Sequence, residues 1–218
     1  EDGIRDVERS RGLGDVYKRQ TQNKMEEVVI IGAGQAAAQT AASLRQEKFE
    51  GQITMFGDES EFPYQRPPLS KDYLAGKISV EKTLVRPQQF YSSKNIAVNL
   101  NTKVKEIDPE KNTISTESAE THKYDNLVIA TGSRARELRI PGSELNGIHY
   151  LRSLRDVDSI RTEMRTAKEI CIVGGGYIGL EVAAVANALG LKVTVLEMES
   201  RILKRVTTAE MSEFYHAL

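Results

Sequence analysis

Cysteine is almost missing from this sequence: one residue, Cys171, in 218. A single cysteine excludes an internal disulfide and fits a reducing compartment, here read as the cytoplasm. Cys171 sits in an apolar run and reads as a core filler. Excess charge is missing too. Lys+Arg 30 against Asp+Glu 31 leave a formal charge of -1, which argues against a nucleic-acid or membrane-surface protein. No long uninterrupted apolar stretch occurs, so no membrane span is expected. The charged N-terminus without an apolar core gives no secretory signal. The three histidines, His122, His149 and His216, follow no metal-ligand spacing and read as surface or filler, so no metal is expected. Glycine and proline fall mostly at turns, so the chain is not low-complexity.

Against these absences stand two glycine-rich turns of one kind, each behind an apolar strand. The first is Gly32-Ala33-Gly34-Gln35-Ala36-Ala37 after residues 26–31; the second is Gly174-Gly175-Gly176-Tyr177-Ile178-Gly179 after residues 169–173. A short apolar β-branched run suits a buried parallel strand. Gly32 permits the sharp turn, and Gly34 removes a side chain where a pyrophosphate approaches the backbone. Ala37 keeps helix and strand close, and the alanine-rich residues 36–46 form the helix whose N-terminal amides face the diphosphate. A strand over residues 52–56 leads to Asp58, near the roughly 20-residue interval at which an acid accepts ribose hydroxyls. Glu59 is the neighbouring alternative. One such turn implies one bound dinucleotide. Two imply two, and the reason to hold two is to pass electrons between them.

At the second turn Gly174, Gly176 and Gly179 satisfy the whole fingerprint, with a helix over residues 180–189 and a strand over 192–196 ending at Glu197. An acid there favours a free ribose 2′-hydroxyl and therefore NADH over NADPH, although Arg201 is near enough to reach a phosphate. Glu181 reads either as a carboxylate in the first turn of that helix, facing its dipole, or as a charge at the junction of the two cofactors. Between the turns, strands are expected over residues 95–99, 103–107 and 112–116. Residues 127–132 then give a last strand ending in the small-residue turn Ala130-Thr131-Gly132. The stiff segment Pro63-Tyr64-Gln65-Arg66-Pro67-Pro68-Leu69-Ser70-Lys71 either holds two cations, Arg66 and Lys71, against a phosphate or an electron-rich ring, or is a surface loop. Ser70 is expected to cap a short helix over residues 71–74. No cysteine pair lies between Gly32 and Ala130, so dithiol chemistry against a flavin is excluded.

The fold class expected is α/β: two Rossmann-like dinucleotide-binding domains, over residues 25–140 and 141–218, both incomplete. Residues 1–24 are charged and aperiodic. They read as a non-native leader, since Asp15-Val16-Tyr17-Lys18-Arg19-Gln20 resembles a translated transposon end, or as a disordered tail. The chain stops inside a helical pattern without a stop signal and reads as a fragment continuing past residue 218.

The glycine turns, Arg66-Pro67-Pro68-Leu69-Ser70-Lys71, Tyr124-Asp125 before Ala130-Thr131-Gly132, Tyr150-Leu151-Arg152-Ser153-Leu154 and Tyr177-Ile178-Gly179-Leu180-Glu181 together resemble the ferredoxin reductase family. These are FAD- and NADH-dependent enzymes of oxygenase electron-transfer chains, the group of the rhodocoxin and putidaredoxin reductases. The resemblance implies that Ala36 and its neighbours contact the FAD diphosphate, Asp58 the ribose, and Val104 the adenine through its backbone. It implies further FAD contacts from Arg66, Ala130, Thr131, Gly132, Arg136 and Arg152. Lys71 would lie near the reactive edge of the flavin, paired with Glu181, which also meets the nicotinamide. The implied activity passes electrons from NADH through FAD to a ferredoxin-type iron–sulfur protein. Rubredoxin, a nitrite-reductase domain or a quinone are alternative acceptors, and an NADH-responsive flavoprotein resembling apoptosis-inducing factor is an alternative class. The family's second FAD segment and its C-terminal interface domain are missing from this sequence, so tight FAD binding and turnover by this chain alone are not expected.

Overall fold

The computed structural model describes residues 26–217; the leader expected over residues 1–24 lies outside them. Three mostly apolar strands, β1 (Glu27–Ile31), β2 (Gln52–Phe56) and β3 (Ile96–Asn99), join β7 (Asn126–Ile129) in a parallel sheet ordered β3-β2-β1-β7. Pairing of Val29 with Thr54 on one side and Leu127 on the other places β1 at the centre. Its residues alternate between two cores. Val28 and Ile30 face helix α1 (Gln35–Gln46), whose Ala37, Ala38 and Ala41 let it lie close to the sheet. Val29 and Ile31, with Phe56 of β2, face Ile114 of an antiparallel meander of β4 (Val104–Asp108), β5 (Thr113–Thr116) and β6 (Thr121–Lys123). Burial on both faces is why β1 reads as an unbroken apolar run.

A short helix α2 (Gln88–Ser93) closes the β3 side, with Tyr91 buried in the first core. The second unit is smaller. Strands β8 (Glu169–Val173) and β9 (Lys192–Leu196) pair in parallel, joined by helix α4 (Tyr177–Ala188), and α5 (Ala209–Ala217) follows. Helix α3 (Leu154–Met164) precedes them. It is opened by a reciprocal cap in which the Ser153 hydroxyl accepts from the Asp156 N–H and the Asp156 carboxylate accepts from the Ser153 N–H. Leu154, Val157, Ile160 and Met164 line one face of α3. They merge with Tyr64, Leu69, Tyr73 and Leu74 from the first unit and Val182 and Ala186 from α4 into a third core. That core joins the two units. The architecture is the α/β, Rossmann-like arrangement expected. Among the described residues no helix is long and apolar enough to cross a membrane.

Three local expectations are corrected. Ser70 caps no helix: it ends a 3-10 turn, Pro67–Ser70, and its hydroxyl turns away to Glu181. Helix α4 begins at Tyr177 rather than residue 180, so Glu181 sits beyond its first turn, too far in for a dipole role to dominate. Cys171 is exposed, not core, because only one face of the two-stranded β8–β9 sheet is covered, by α4.

Ile30 is fully buried and Leu145 is 65% exposed. Urea unfolding should therefore show Ile30→Ala losing about 2–5 kcal/mol and Leu145→Ala under about 1 kcal/mol. Equal losses would contradict the placement of the core.

Candidate functional site

Strand β1 ends in a turn that only glycine can make. Gly32 has φ +117, its N–H donates to Phe56 O at 2.7 Å, and a Cβ there would stand 2.2 Å from Ala130 O. Gly32 thus lets the ends of β1 and β7 meet. Gly34 has no such internal reason to be glycine. A Cβ on Gly34 would find no protein atom within 4 Å. Its backbone, φ -96, suits any residue, and it opens α1 with no side-chain cap. A bare backbone beside open space and an uncapped helix N-terminus form a cradle for an anionic group.

The cradle is one wall of a cavity of about 960 Å³, large enough for a dinucleotide. The structure brings Gly32, Gly34, Ala36, Asp58, Arg66, Val104, Ala130, Thr131, Gly132 and Arg152 together around it. Val104 reaches the rim at a register shift in β4, between Val104 and Glu106. Gly132 turns with φ +69. Two expected cofactor residues stand elsewhere. Ala37 is fully buried against the sheet, so its small size serves packing alone. Arg136 is exposed and lies outside the lining, whereas Arg134 belongs to it. Sequence reasoning missed Arg134, whose only signal is its place two residues after the Gly132 turn.

Of the two candidate acids, both in the cavity lining, Glu59 is already taken up by protein partners. The Glu59 carboxylate accepts from Arg66 Nη2 at 2.6 Å and from the Tyr64 hydroxyl. Arg66 Nη1 also donates to Arg152 O at 2.6 Å, and the Arg152 Nε donates to Ser133 O at 3.0 Å. The proline-stiffened segment therefore holds Arg66 in the cavity wall and is no loose surface loop.

Lys71 does not line the cavity. Its Nζ stands 2.7 Å from Glu181 Oε2 on α4 and donates to Pro67 O at 3.3 Å. The Ser70 hydroxyl donates to the same Glu181 oxygen at 2.5 Å. This cluster ties the first unit to the helix behind the second glycine turn. Burial alone pushes the Glu181 carboxyl up, but the hydrogen bonds from Lys71 and Ser70, with the lysine charge, outweigh it and hold the group below its ordinary value. With side chains 47% and 29% exposed, the Lys71–Glu181 pair adds little to stability.

The second turn repeats the first. Gly174, φ +114, donates to Leu196 O at 2.8 Å. Gly176 opens α4 uncapped, with no atom within 4 Å of a notional Cβ. At Gly179 a Cβ would stand 1.9 Å from Gly174 O, so the third glycine serves close packing. Glu197 accepts from the Glu199 N–H at 2.9 Å and the Gly175 N–H at 2.7 Å, and these bonds hold its carboxyl below the ordinary value. Arg201 is occupied: its guanidinium donates to Thr208 O, Thr207 O and Lys204 O and to the Ser212 hydroxyl, stapling the loop before α5.

His149 Nε2 lies 3.0 Å from Glu163 Oε2, and the His122 ring packs 4.7 Å from Phe56. Among the described residues no three His, Cys, Asp or Glu side chains are grouped to hold a metal ion.

The family model described as pyridine nucleotide-disulphide oxidoreductase matches residues 26–218. The chain is 41% identical to a ferredoxin--NAD(P)(+) reductase from Sphingomonas sp over 87% of its own length and 46% of that protein's. It is 40% identical to a rubredoxin-NAD(+) reductase from Ectopseudomonas oleovorans, over 87% and 49% respectively. Among solved structures it is similar to the ferredoxin reductase for the CYP199A2 system from Rhodopseudomonas palustris, with TM-score 0.84, 40% identity and coverage of 88% and 47%. It is also similar to putidaredoxin reductase in its covalent complex with putidaredoxin, with TM-score 0.83, 38% identity and the same coverage. The chain thus spans about half the length of the curated relatives it matches.

Gly32 and Gly34 should separate folding from binding. In the intact protein, Gly34→Ala should change unfolding free energy by less than about 1 kcal/mol yet weaken FAD binding about tenfold or more, while Gly32→Ala should cost more than about 2 kcal/mol. Fluorescence titration and urea unfolding check both; a Gly34→Ala protein with unchanged FAD affinity would remove the cradle. The lowered Glu181 value gives a second test. Its contribution is complete above the unfolded carboxyl value, about 4.3, and is lost as pH falls through the lower folded value. Glu181→Gln should lower Tm slightly at neutral pH, where the contribution is present, and converge with the wild-type protein at low pH, which flattens the acid limb of the Tm–pH profile.

Proposed function

The chain belongs to the pyridine nucleotide-disulphide oxidoreductase family, and from that premise we propose that it carries the FAD- and NADH-binding parts of a ferredoxin reductase. The observation that carries this reading is the repeated cradle: Gly34 and Gly176, each an uncapped helix start with empty space where a side chain would go. The absence of a second cysteine sets the proposed chemistry apart from that of disulfide reductases. Ferredoxin and rubredoxin reductase names among the relatives support a small iron–sulfur or iron protein as acceptor, and of these we favour a ferredoxin-type iron–sulfur protein.

When bound, FAD supplies the step from a two-electron donor, NADH, to a one-electron acceptor. The chain's own residues bind and orient. Gly34 and Ala36 present main-chain N–H groups and the α1 N-terminus to the diphosphate, and Gly32, whose own N–H is held by Phe56 O, makes the turn that exposes them. Asp58 accepts the ribose hydroxyls, and Val104 meets the adenine through its backbone. Arg66, Arg152, Ala130, Thr131 and Gly132 complete the wall, and Arg134 takes the role expected of Arg136. Gly174, Gly176 and Gly179 shape the NADH cradle. Glu197 disfavours a 2′-phosphate, and the stapled Arg201 is not free to offset it. Lys71 and Glu181 hold a paired charge where the two units meet. The two binding domains divide near residue 140, and the cytoplasm is the proposed location, since a lone cysteine fits a reducing compartment.

Acceptor panels with the intact protein test the reading: NADH should reduce bound FAD, and a [2Fe–2S] ferredoxin should be reduced faster than rubredoxin or a quinone. Long-lived charge-transfer absorbance after NADH addition, with poor ferredoxin reduction, would favour a signalling flavoprotein instead. Lys71→Met should slow FAD reduction by NADH about tenfold in stopped flow; an unchanged rate would remove Lys71 from the site.

A further inference from the structure

One hydroxyl group links the cofactor cavity to the second unit. Tyr64 is 4% exposed, and its ring sits in the core shared by the two units. Its hydroxyl donates to Glu59, accepts from Arg66 Nη1 at 2.8 Å, and accepts from the Leu154 N–H at 3.2 Å. One donor and two lone pairs are thereby all used. Leu154 is the first residue of α3, while Arg66 and Glu59 line the cavity; Tyr64 itself does not. The Arg66 guanidinium also lies over the Tyr64 ring, 4.8 Å from its centre, and grips Arg152 O, one residue before the α3 cap. Burial first, then the bond to Glu59, push the phenol well above its ordinary value, so it stays protonated and able to donate.

We infer that Tyr64 is a positioning residue: its hydroxyl fixes Arg66 in the cavity wall and locks that wall to the start of α3, so that occupation of the FAD cavity is coupled to the placement of the second unit. The inference rests on the reading of the cavity as an FAD site. The geometry makes the coupling direct, since rotation of Arg66 breaks bonds to Tyr64, Glu59 and Arg152 at once. Removing the hydroxyl leaves a buried Leu154 N–H and one Glu59 oxygen without that partner, and the guanidinium is freed to turn.

Tyr73 supplies the control. It is also a buried tyrosine of the shared core, and its hydroxyl donates to Asp158 Oδ1 on α3 at 2.8 Å, yet it touches no cavity residue through that bond. The experiment is FAD titration of the intact protein, stripped of flavin, alongside thermal unfolding. Tyr64→Phe should raise the FAD dissociation constant about tenfold. Tyr73→Phe should leave it within about twofold, and Tyr64→Phe added to Arg66→Ala should change it by less than about twofold, because the effect passes through Arg66. Glu59→Gln, which loosens the same guanidinium from its other side, should weaken FAD binding in the same direction if Tyr64→Phe folds poorly. Wild-type FAD affinity in Tyr64→Phe, equal losses in the two tyrosine variants, or full additivity with Arg66→Ala would overturn the inference while leaving the cavity reading standing. Failure of the wild-type protein to bind FAD would instead overturn the cavity reading, and the inference with it.

Discussion

The fold turns on a close approach of two backbones. Where β1 ends, Gly32 passes so near Ala130 that a Cβ would stand 2.2 Å from its carbonyl oxygen. This contact sets the ends of β1 and β7 side by side, and the gap between α1 and the Thr131–Gly132 turn becomes the cavity. The second unit obeys the same constraint by other residues, with Gly179 standing against Gly174 O. In both, one glycine is required by the protein and another, Gly34 or Gly176, is left bare toward open space. The first kind is a folding requirement. The second has no packing reason within the protein, and the proposed cofactors would approach the main chain there.

Around that contact the molecule is joined by three kinds of interaction, each suited to its depth. The deepest is apolar, where Leu154, Val157 and Val182 meet Leu69 and Leu74. Between core and cavity lies the hydrogen-bonded set of Tyr64, Glu59 and Arg66, in which a buried phenol holds two partly exposed charged side chains. Nearest solvent is the Lys71–Glu181 pair, which adds little to stability but places a charge where the two units meet. The proline segment supplies all three, since residues 64 to 71 carry Tyr64, Arg66, Leu69, Ser70 and Lys71. Pro67 and Pro68 reduce the freedom that this segment loses on folding.

Much of the fold was legible because local patterns carried it. The strands at β1, β2, β8 and β9 declared themselves as short β-branched runs, and the glycine spacing announced both turns. Helix α3 went unread although its signals were present: Ser153 and Asp156 three apart, with Leu154, Val157, Ile160 and Met164 following on one face. The site was legible where a motif fixes the backbone, as at Gly34, Asp58 and Gly132. It was illegible where a side chain chooses among partners. Arg134 and Arg136 stand two apart in one loop, and only the course of the chain decides which one lies in the cavity lining.

The sequence by itself determined the two glycine turns and the parallel strands that lead into them, because glycine spacing and β-branched runs act within a few residues. Tertiary structure alone decided that Glu59 is spent on Tyr64 and Arg66, that Arg201 is bound to its own loop, and that Cys171 is exposed. Those outcomes depend on which groups meet across distances of many residues, and a hydrogen bond or an uncovered sheet face leaves no periodic trace in the chain.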